Sequence, residues 1–329
     1  MDSERRQARR EARRRELARR RRRTFAGLSL LLAAVVVAAV ALLAGRGGSK
    51  PSTRGVAGSG NAPRGSSSAQ SGGSTSPQGS SSSAGAATGK PRTGAAPILM
   101  YHVINPPPPG APFPGLYVSA SEFAAQMQAL AKAGFHAVTL DQLQAYWRHG
   151  APLPPGKPIV VSFDNGYQSQ YTNALPVLRR LGWVGDESIQ LTGLPPSQGG
   201  LSEAQVRGLV AAGWELDTQG FSHADLIALD GTQLAYQVAG ARKVIQQRYG
   251  VPVNWFCYPS GHYDATVIAE VKTAGYAGST TVVPGWAGPN SDPYRLPRLR
   301  VLGGTGPEAL LSEIAAIRND PAPPASYSG

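Results

Sequence analysis

PIVVSFDN at 158–165 is the stretch on which the fold turns. A short apolar run of β-type residues ends on a carboxylate and an amide, Asp164 and Asn165. Its length suits a strand better than a helix. Working outward, similar runs recur at ILMYHV (98–103), HAVTL (136–140), ESIQL (187–191), WELDT (214–218), NWFCY (254–258), GSTTV (278–282) and RLRV (298–301). Helix-period segments lie between them. One starts at Ser119 with Glu122 three residues on, the spacing of a capping box, and puts Phe123, Met127 and Leu130 on one face. Another starts at Ser202 with Gln205 in the same relation and carries Val206, Leu209 and Val210. A third runs from Thr232 to Tyr249, and a fourth follows Asp264.

Alternation of this kind implies βαβ units and a mainly parallel sheet. The expected fold is α/β, a distorted (β/α) barrel of seven or eight strands. In such a barrel the site lies at the carboxyl ends of the strands. The out-of-place polar residues fall there. His102 ends the first run and Asp164 and Asn165 the third. Gln219 and His223 follow the fifth, and Tyr258, Pro259 and Ser260 end the sixth.

Three segments resemble the motifs of the polysaccharide deacetylase family, the NodB-homology domain of carbohydrate esterase family 4. VVSFDNGY (160–167) is similar to the first motif, ELDTQGFSHADL (215–226) to the second and FCYPSG (256–261) to the third. ILMYH (98–102) and LPRLRV (296–301) are similar to opening and closing strands of members. The resemblance spans about 97–302. It implies metal-assisted hydrolysis of an acetyl group on a sugar polymer, in which a divalent metal activates water and polarises the carbonyl. A carboxylate then takes the proton and backbone N–H groups hold the oxyanion.

Carried over by position, the resemblance makes Asp164 the general base and the turn at Ser260 the oxyanion contact. The metal ligands would be Asn165, Gln219 and His223, with a divalent metal of unknown identity as the cofactor. Asn165 stands where the family has Asp, and Gln219 where it has His. Cys257 stands where an Arg often orients the base, and no late Leu-x-His segment supplies a general acid. Amide oxygens are weak donors to zinc and suit harder cations. Asp217, two residues before Gln219, and His262 are the candidates to compensate. His102, Tyr258, Pro259 and Trp286 are candidate substrate contacts. Trp286, in the polar loop VVPGWAGPNSDPY, is read either as a sugar-stacking platform or as packing. The Pro run at 106–109 is positioned to wall the cleft.

The 329 residues carry a net charge of +12, distributed unevenly. Residues 1–23 hold 12 Arg against 4 acids, and 24–94 hold 6 basic residues and no acid. The remainder has 14 basic and 16 acidic residues, which argues against a nucleic-acid-binding fold. Phe25 to Ala44 is uncharged and mostly aliphatic, and as a helix spans about 30 Å, a bilayer's hydrocarbon thickness. The chain therefore divides into an Arg-rich cytoplasmic tail (1–23), a transmembrane signal-anchor helix (24–44), a Gly/Ser-rich tether (45–94), the deacetylase-like domain (95–320) and a flexible tail (321–329). The positive-inside rule places the N-terminus in the cytoplasm and the domain outside the cell membrane. A coil of ~50 residues reaches ~40 Å root-mean-square, near enough to search the adjacent envelope. One cysteine, Cys257, excludes an internal disulfide and reads as a core thiol.

Two functions lead on these residues, and a membrane-tethered partner in envelope assembly, with the barrel serving only as a surface, is a third. One is an exported, membrane-anchored hydrolase that removes N-acetyl or O-acetyl groups from a cell-envelope glycan such as peptidoglycan. The other is a non-catalytic relative that binds or scaffolds that glycan. The expected partners are the polysaccharide and, through 25–44, the lipid bilayer, with no nucleic acid. Oligomeric state is not legible.

Overall fold

Val160, Val161 and Phe163 make 158–165 a strand buried on both faces, and such a strand needs a partner on each edge. The computed structural model describes residues 92–194 and 199–329. The Arg-rich tail, the anchor at 24–44 and nearly all of the tether lie outside the described residues. Among the described residues no helix is long and apolar enough to cross a membrane.

The chain runs β1 (Ala96–Tyr101), α1 (Ala120–Lys132), β2 (Phe135–Ala137), α2 (Leu140–His149), β3 (Lys157–Asn165), α3 (Leu175–Arg180), β4 (Asp186–Ile189) and α4 (Glu203–Ala211). It continues through β5 (Glu215–Thr218), α5 (Gly231–Ala235), α6 (Ala241–Tyr249), β6 (Trp255–Cys257), α7 (Ala265–Thr273) and β7 (Gly278–Thr280). It closes with β8 (Trp286–Ala287), β9 (Leu299–Arg300) and α8 (Pro307–Ala316). The sheet order is β7-β6-β5-β4-β3-β1-β8, with β2 beside β3 and β9 beside β1. Every pairing is parallel except that of β8 with β1.

The sheet curls, and one segment touches both β7 and β1. Leu296 bridges to Thr280 of β7, and Leu299 pairs with Leu99 of β1. The mainly parallel α/β architecture read from the alternation is thus present, as a curled half-barrel. Each of the eight runs holds a strand, and β8 is an additional two-residue one. Helices cover the outside. Phe163 stacks on Trp214 at 5.0 Å beneath α3 and α4, and Phe256, Val238, Ile245 and Val267 pack beneath α6 and α7. α2 packs Leu140, Leu143 and Trp147 against Ile98 and Val160.

Local chemistry moved several boundaries. The run HAVTL ends as a strand at Ala137, because Thr139 and Gln142 form a reciprocal capping box that starts α2. At Ser119 only half a box forms: its hydroxyl accepts from the Glu122 N–H at 3.2 Å, and no return bond is made. The Thr232–Tyr249 helix is continuous as read, with a π-turn at Tyr236–Gly240 inside it. The expected flexible tail is instead packed. Tyr327 and Tyr263 exchange backbone bonds of 2.8 and 2.9 Å, and the Tyr263 hydroxyl donates to the Pro324 carbonyl.

Gly278, at the start of β7, lies against the Pro293 carbonyl and the Trp255 ring, where a methyl group has no room. Gly278→Ala is expected to cost about 1–3 kcal/mol by overpacking. A lowered urea midpoint at unchanged slope would record this. An unchanged midpoint would contradict the packing described.

Candidate functional site

β3 delivers Asp164 into the barrel interior, where its side chain is 2% exposed. A lone carboxylate there would be protonated, since burial penalises charge. Arg298, fully buried on the segment that touches both β7 and β1, meets it with two parallel bonds. Nη1 donates to Oδ1 at 2.7 Å and Nη2 to Oδ2 at 2.9 Å. The same guanidinium donates to the Thr281 carbonyl, the Ser162 hydroxyl and the Cys257 sulfur. The Cys257 thiol donates to Asp164 Oδ2 at 3.3 Å. Burial alone would raise the Asp164 carboxyl. The Arg298 charge and hydrogen bonds, with His102 and Cys257, outweigh it and hold the group below the usual range. Burial pushes the Cys257 thiol up to about 12, only partly offset by Arg298, so it stays protonated.

Beyond Asp164 the backbone turns through Asn165 at φ 80° and Gly166 at φ 88°, a left-handed pair that aims the Asn165 amide sideways. Its Nδ2 donates to Gln190 Oε1 at 2.9 Å, and Gln190 in turn donates to the Thr192 carbonyl. Gln219, 2% exposed, leaves Oε1 buried without a partner. His102 leaves Nδ1 likewise. Burial lowers the His102 imidazole to about 4, with Asp164 opposing and Arg298, Arg300 and His223 assisting. His223 is also lowered, by desolvation first, with Asp164 opposing. Both are neutral imidazoles at neutral pH.

These groups share one cavity of about 460 Å³ at the strand ends. Its polar floor is His102, Asp164, Asn165, Gln190, Gln219 and His223, and Arg300 also lines it. One wall is apolar: Pro112, Phe113, Leu116 and Tyr117, from the loop after β1, face Leu194 and Val282. Phe113 is 69% exposed, a free ring at the rim. Ser260 lines the cavity from a turn held at φ 55°, followed by Gly261 at φ 74°, where a side chain would collide with Val282. The Tyr258 ring is present, but its hydroxyl is spent on the Tyr294 carbonyl at 2.9 Å.

Sequence reading thus brought Asp164, Asn165, Gln219, His223, His102, Tyr258 and Ser260 to one place. Pro259 is buried in the turn rather than lining the cavity. Trp286 is not a platform at the mouth. It sits on β8 beside Pro97, at the opposite end of β1, and donates Nε1 to the Ile314 carbonyl under the Arg318 side chain. Asp217 does not compensate for Gln219, because it lies inside the sheet and accepts the Trp255 N–H at 3.1 Å. His262 pairs with Asp225 at 3.0 Å and does not line the cavity. Arg298, Gln190 and Phe113 were missed. For Arg298 a signal existed: an arginine inside the apolar run that closes the barrel.

The family's zinc-type centre does not fit this donor set. Zinc favours imidazole, thiolate and carboxylate. Two of the three positions that the resemblance makes ligands are amides, whose oxygens are weak donors to zinc, and Asn165 turns its Nδ2 to Gln190. Both Asp164 oxygens accept from Arg298, and the one cysteine is a protonated thiol donor. Only His223 is left as a full-strength ligand at those positions.

Comparisons with known proteins place this geometry. The family model described as polysaccharide deacetylase matches residues 152–279. The chain is 26% identical over 223 residues to YxkH of Bacillus subtilis (strain 168), covering 68% of this chain and 77% of that protein. It is 38% identical over 66 residues to the poly-beta-1,6-N-acetyl-D-glucosamine N-deacetylase of Escherichia coli (strain K12), 20% of this chain and 10% of that one. Among solved structures, BC0361, a polysaccharide deacetylase from Bacillus cereus, superposes with a TM-score of 0.59 at 26% identity. That match covers 68% of this chain and 69% of the other.

Replacing Arg298 with Met strands a buried carboxylate and is expected to cost about 3–5 kcal/mol at neutral pH. The contribution of Asp164 to the pH dependence should also reverse. In the native chain the lowered Asp164 contributes stability that is present above its unfolded value near 4 and is lost as pH falls through the folded value. In Arg298→Met burial raises the carboxyl, so the variant gains stability as pH falls from 7 towards 4. Thermal melts across that range read the sign. A variant that melts like the native chain at both ends would contradict the pairing.

Proposed function

We propose that the chain, which the polysaccharide deacetylase model matches over 152–279, is a member of that family whose cavity binds an acylated sugar of a cell-envelope polysaccharide. The observation that carries this is the cavity's make-up. An exposed aromatic rim at Phe113 suits the apolar face of a pyranose ring, and a floor of amides and neutral imidazoles suits hydroxyl and acetamido groups. Export supports the same reading. The Arg-rich segment before the apolar run 25–44 favours an uncleaved anchor with the domain outside, and the Gly/Ser-rich tether gives it reach. The mismatch with a zinc centre favours recognition over metal-assisted amide hydrolysis.

One observation favours hydrolysis as a second reading. An ionised Asp164 and two neutral imidazoles, His102 and His223, line one cavity. An O-acetyl ester is a better electrophile than an amide. Water can add to its carbonyl while an imidazole takes the water's proton. Collapse returns that proton to the departing sugar oxygen and releases acetic acid. The Asp164 charge stabilises the transient imidazolium.

Calorimetry of the full chain with an N-acetylglucosamine tetramer and its O-acetylated form tests both readings, with acetate measured in parallel. Binding is expected, weakened about five- to tenfold in Phe113→Ala, a loss of about 1 kcal/mol. No binding of either oligosaccharide would overturn the glycan reading. Acetate release that disappears in His223→Ala and Asp164→Asn would move the conclusion to the hydrolase.

A further inference from the structure

At the amino ends of β4 and β5, away from the cavity, three carboxyl groups converge inside the sheet. Each spends one oxygen on a backbone N–H. Asp186 Oδ1 accepts from Leu140 at 2.9 Å, Glu215 Oε2 from Asp141 at 2.9 Å and Asp217 Oδ1 from Trp255 at 3.1 Å. Among the described residues each leaves its other oxygen buried with no N–H or hydroxyl donor, Asp186 Oδ2, Glu215 Oε1 and Asp217 Oδ2, and the Glu215 and Asp217 carboxyls lie within hydrogen-bond reach of each other. Asp186 is 0% and Asp217 1% exposed. One carboxyl oxygen from each residue lies within 4.8 Å of those from the other two.

Among the described residues no basic group acts on them. The neighbouring charge is a fourth acid, Asp141 at the start of α2, whose own oxygens accept from Trp255 Nε1 and Asn254 Nδ2. The groups that act electrostatically on the three are one another and Asp141. Unpartnered buried carboxyl oxygens are costly, and three on adjacent strands compound the cost. A hard cation takes oxygen ligands at about 2.0–2.6 Å, a spacing that three oxygens this close can meet.

We propose that Asp186, Glu215 and Asp217 form a buried structural site for one hard divalent cation of the calcium or magnesium class, pinning β4 and β5 to the start of α2. An all-oxygen donor set excludes a soft-metal preference. The backbone bonds hold the three carboxylates in place, so the ion is taken up as the chain folds. The site is independent of the cavity and of what the cavity binds.

The test refolds the full chain from urea with chelator, then with calcium or magnesium, followed by elemental analysis and thermal melting. About one ion per chain is expected, with the melting temperature about 5–10 °C higher at saturating cation. His223→Ala should keep the ion, and Asp217→Asn or Glu215→Gln should lose it. An ion lost in His223→Ala but kept in Asp217→Asn would place it in the cavity and overturn the proposal. So would a melting temperature indifferent to cation that rises as pH falls. Burial raises all three carboxyls. A group filled by protons would therefore stabilise fully below the unfolded values near 4 and weaken as pH climbs. If the variants fail to fold, the cation dependence of the native melt decides alone.

Discussion

The pairing of Arg298 with Asp164 joins the barrel's closure to its site. Arg298 lies on the short segment that bridges β7 and β1, and Asp164 ends β3. Each is costly to bury alone, and the two parallel bonds, with Ser162, Thr281 and Cys257 around them, make burial tolerable. The carboxylate stays ionised only while the last strand is in place. The charge at the cavity floor is therefore a consequence of a completed fold.

This pairing also explains how the barrel accepts Cys257. The thiol donates to Asp164 and lies beside the guanidinium, so the site keeps an arginine on its carboxylate without one at position 257. The amides at 165 and 219 work differently. They offer groups suited to neutral hydrogen bonding, and the Asn165 amide donates to Gln190. The polar floor and aromatic rim persist, so a sugar still has a surface to meet.

Local signals were read well from the chain. Strand runs, the box at Ser202, and polar residues at strand ends depend on neighbours a few positions away, and periodicity exposes them. Thr139 outcompeted the apolar run HAVTL for the same reason. Long-range partners were not legible. Arg298 meets a residue 134 positions earlier. Trp286, in its Gly/Pro loop, was open between platform and packing, and the α8 carbonyl that decides for packing comes from far along the chain. The period-2 argument put Asp217 on the same strand face as Gln219, but the Trp255 N–H and the neighbouring acids claim it. The tail looked frayed because its pairing with Tyr263 cannot be seen in composition.

The state of Asp164 is the quantity on which closure, cavity charge and chemistry all depend. Carbon-13 NMR of the labelled Asp164 carboxyl in the full chain, titrated from pH 8 to pH 3, measures it directly. The expected result is a carboxylate throughout the range above the ordinary aspartate value near 4, with protonation only below it. A carboxyl that takes up its proton above pH 5 would contradict the buried ion pair and the site built on it.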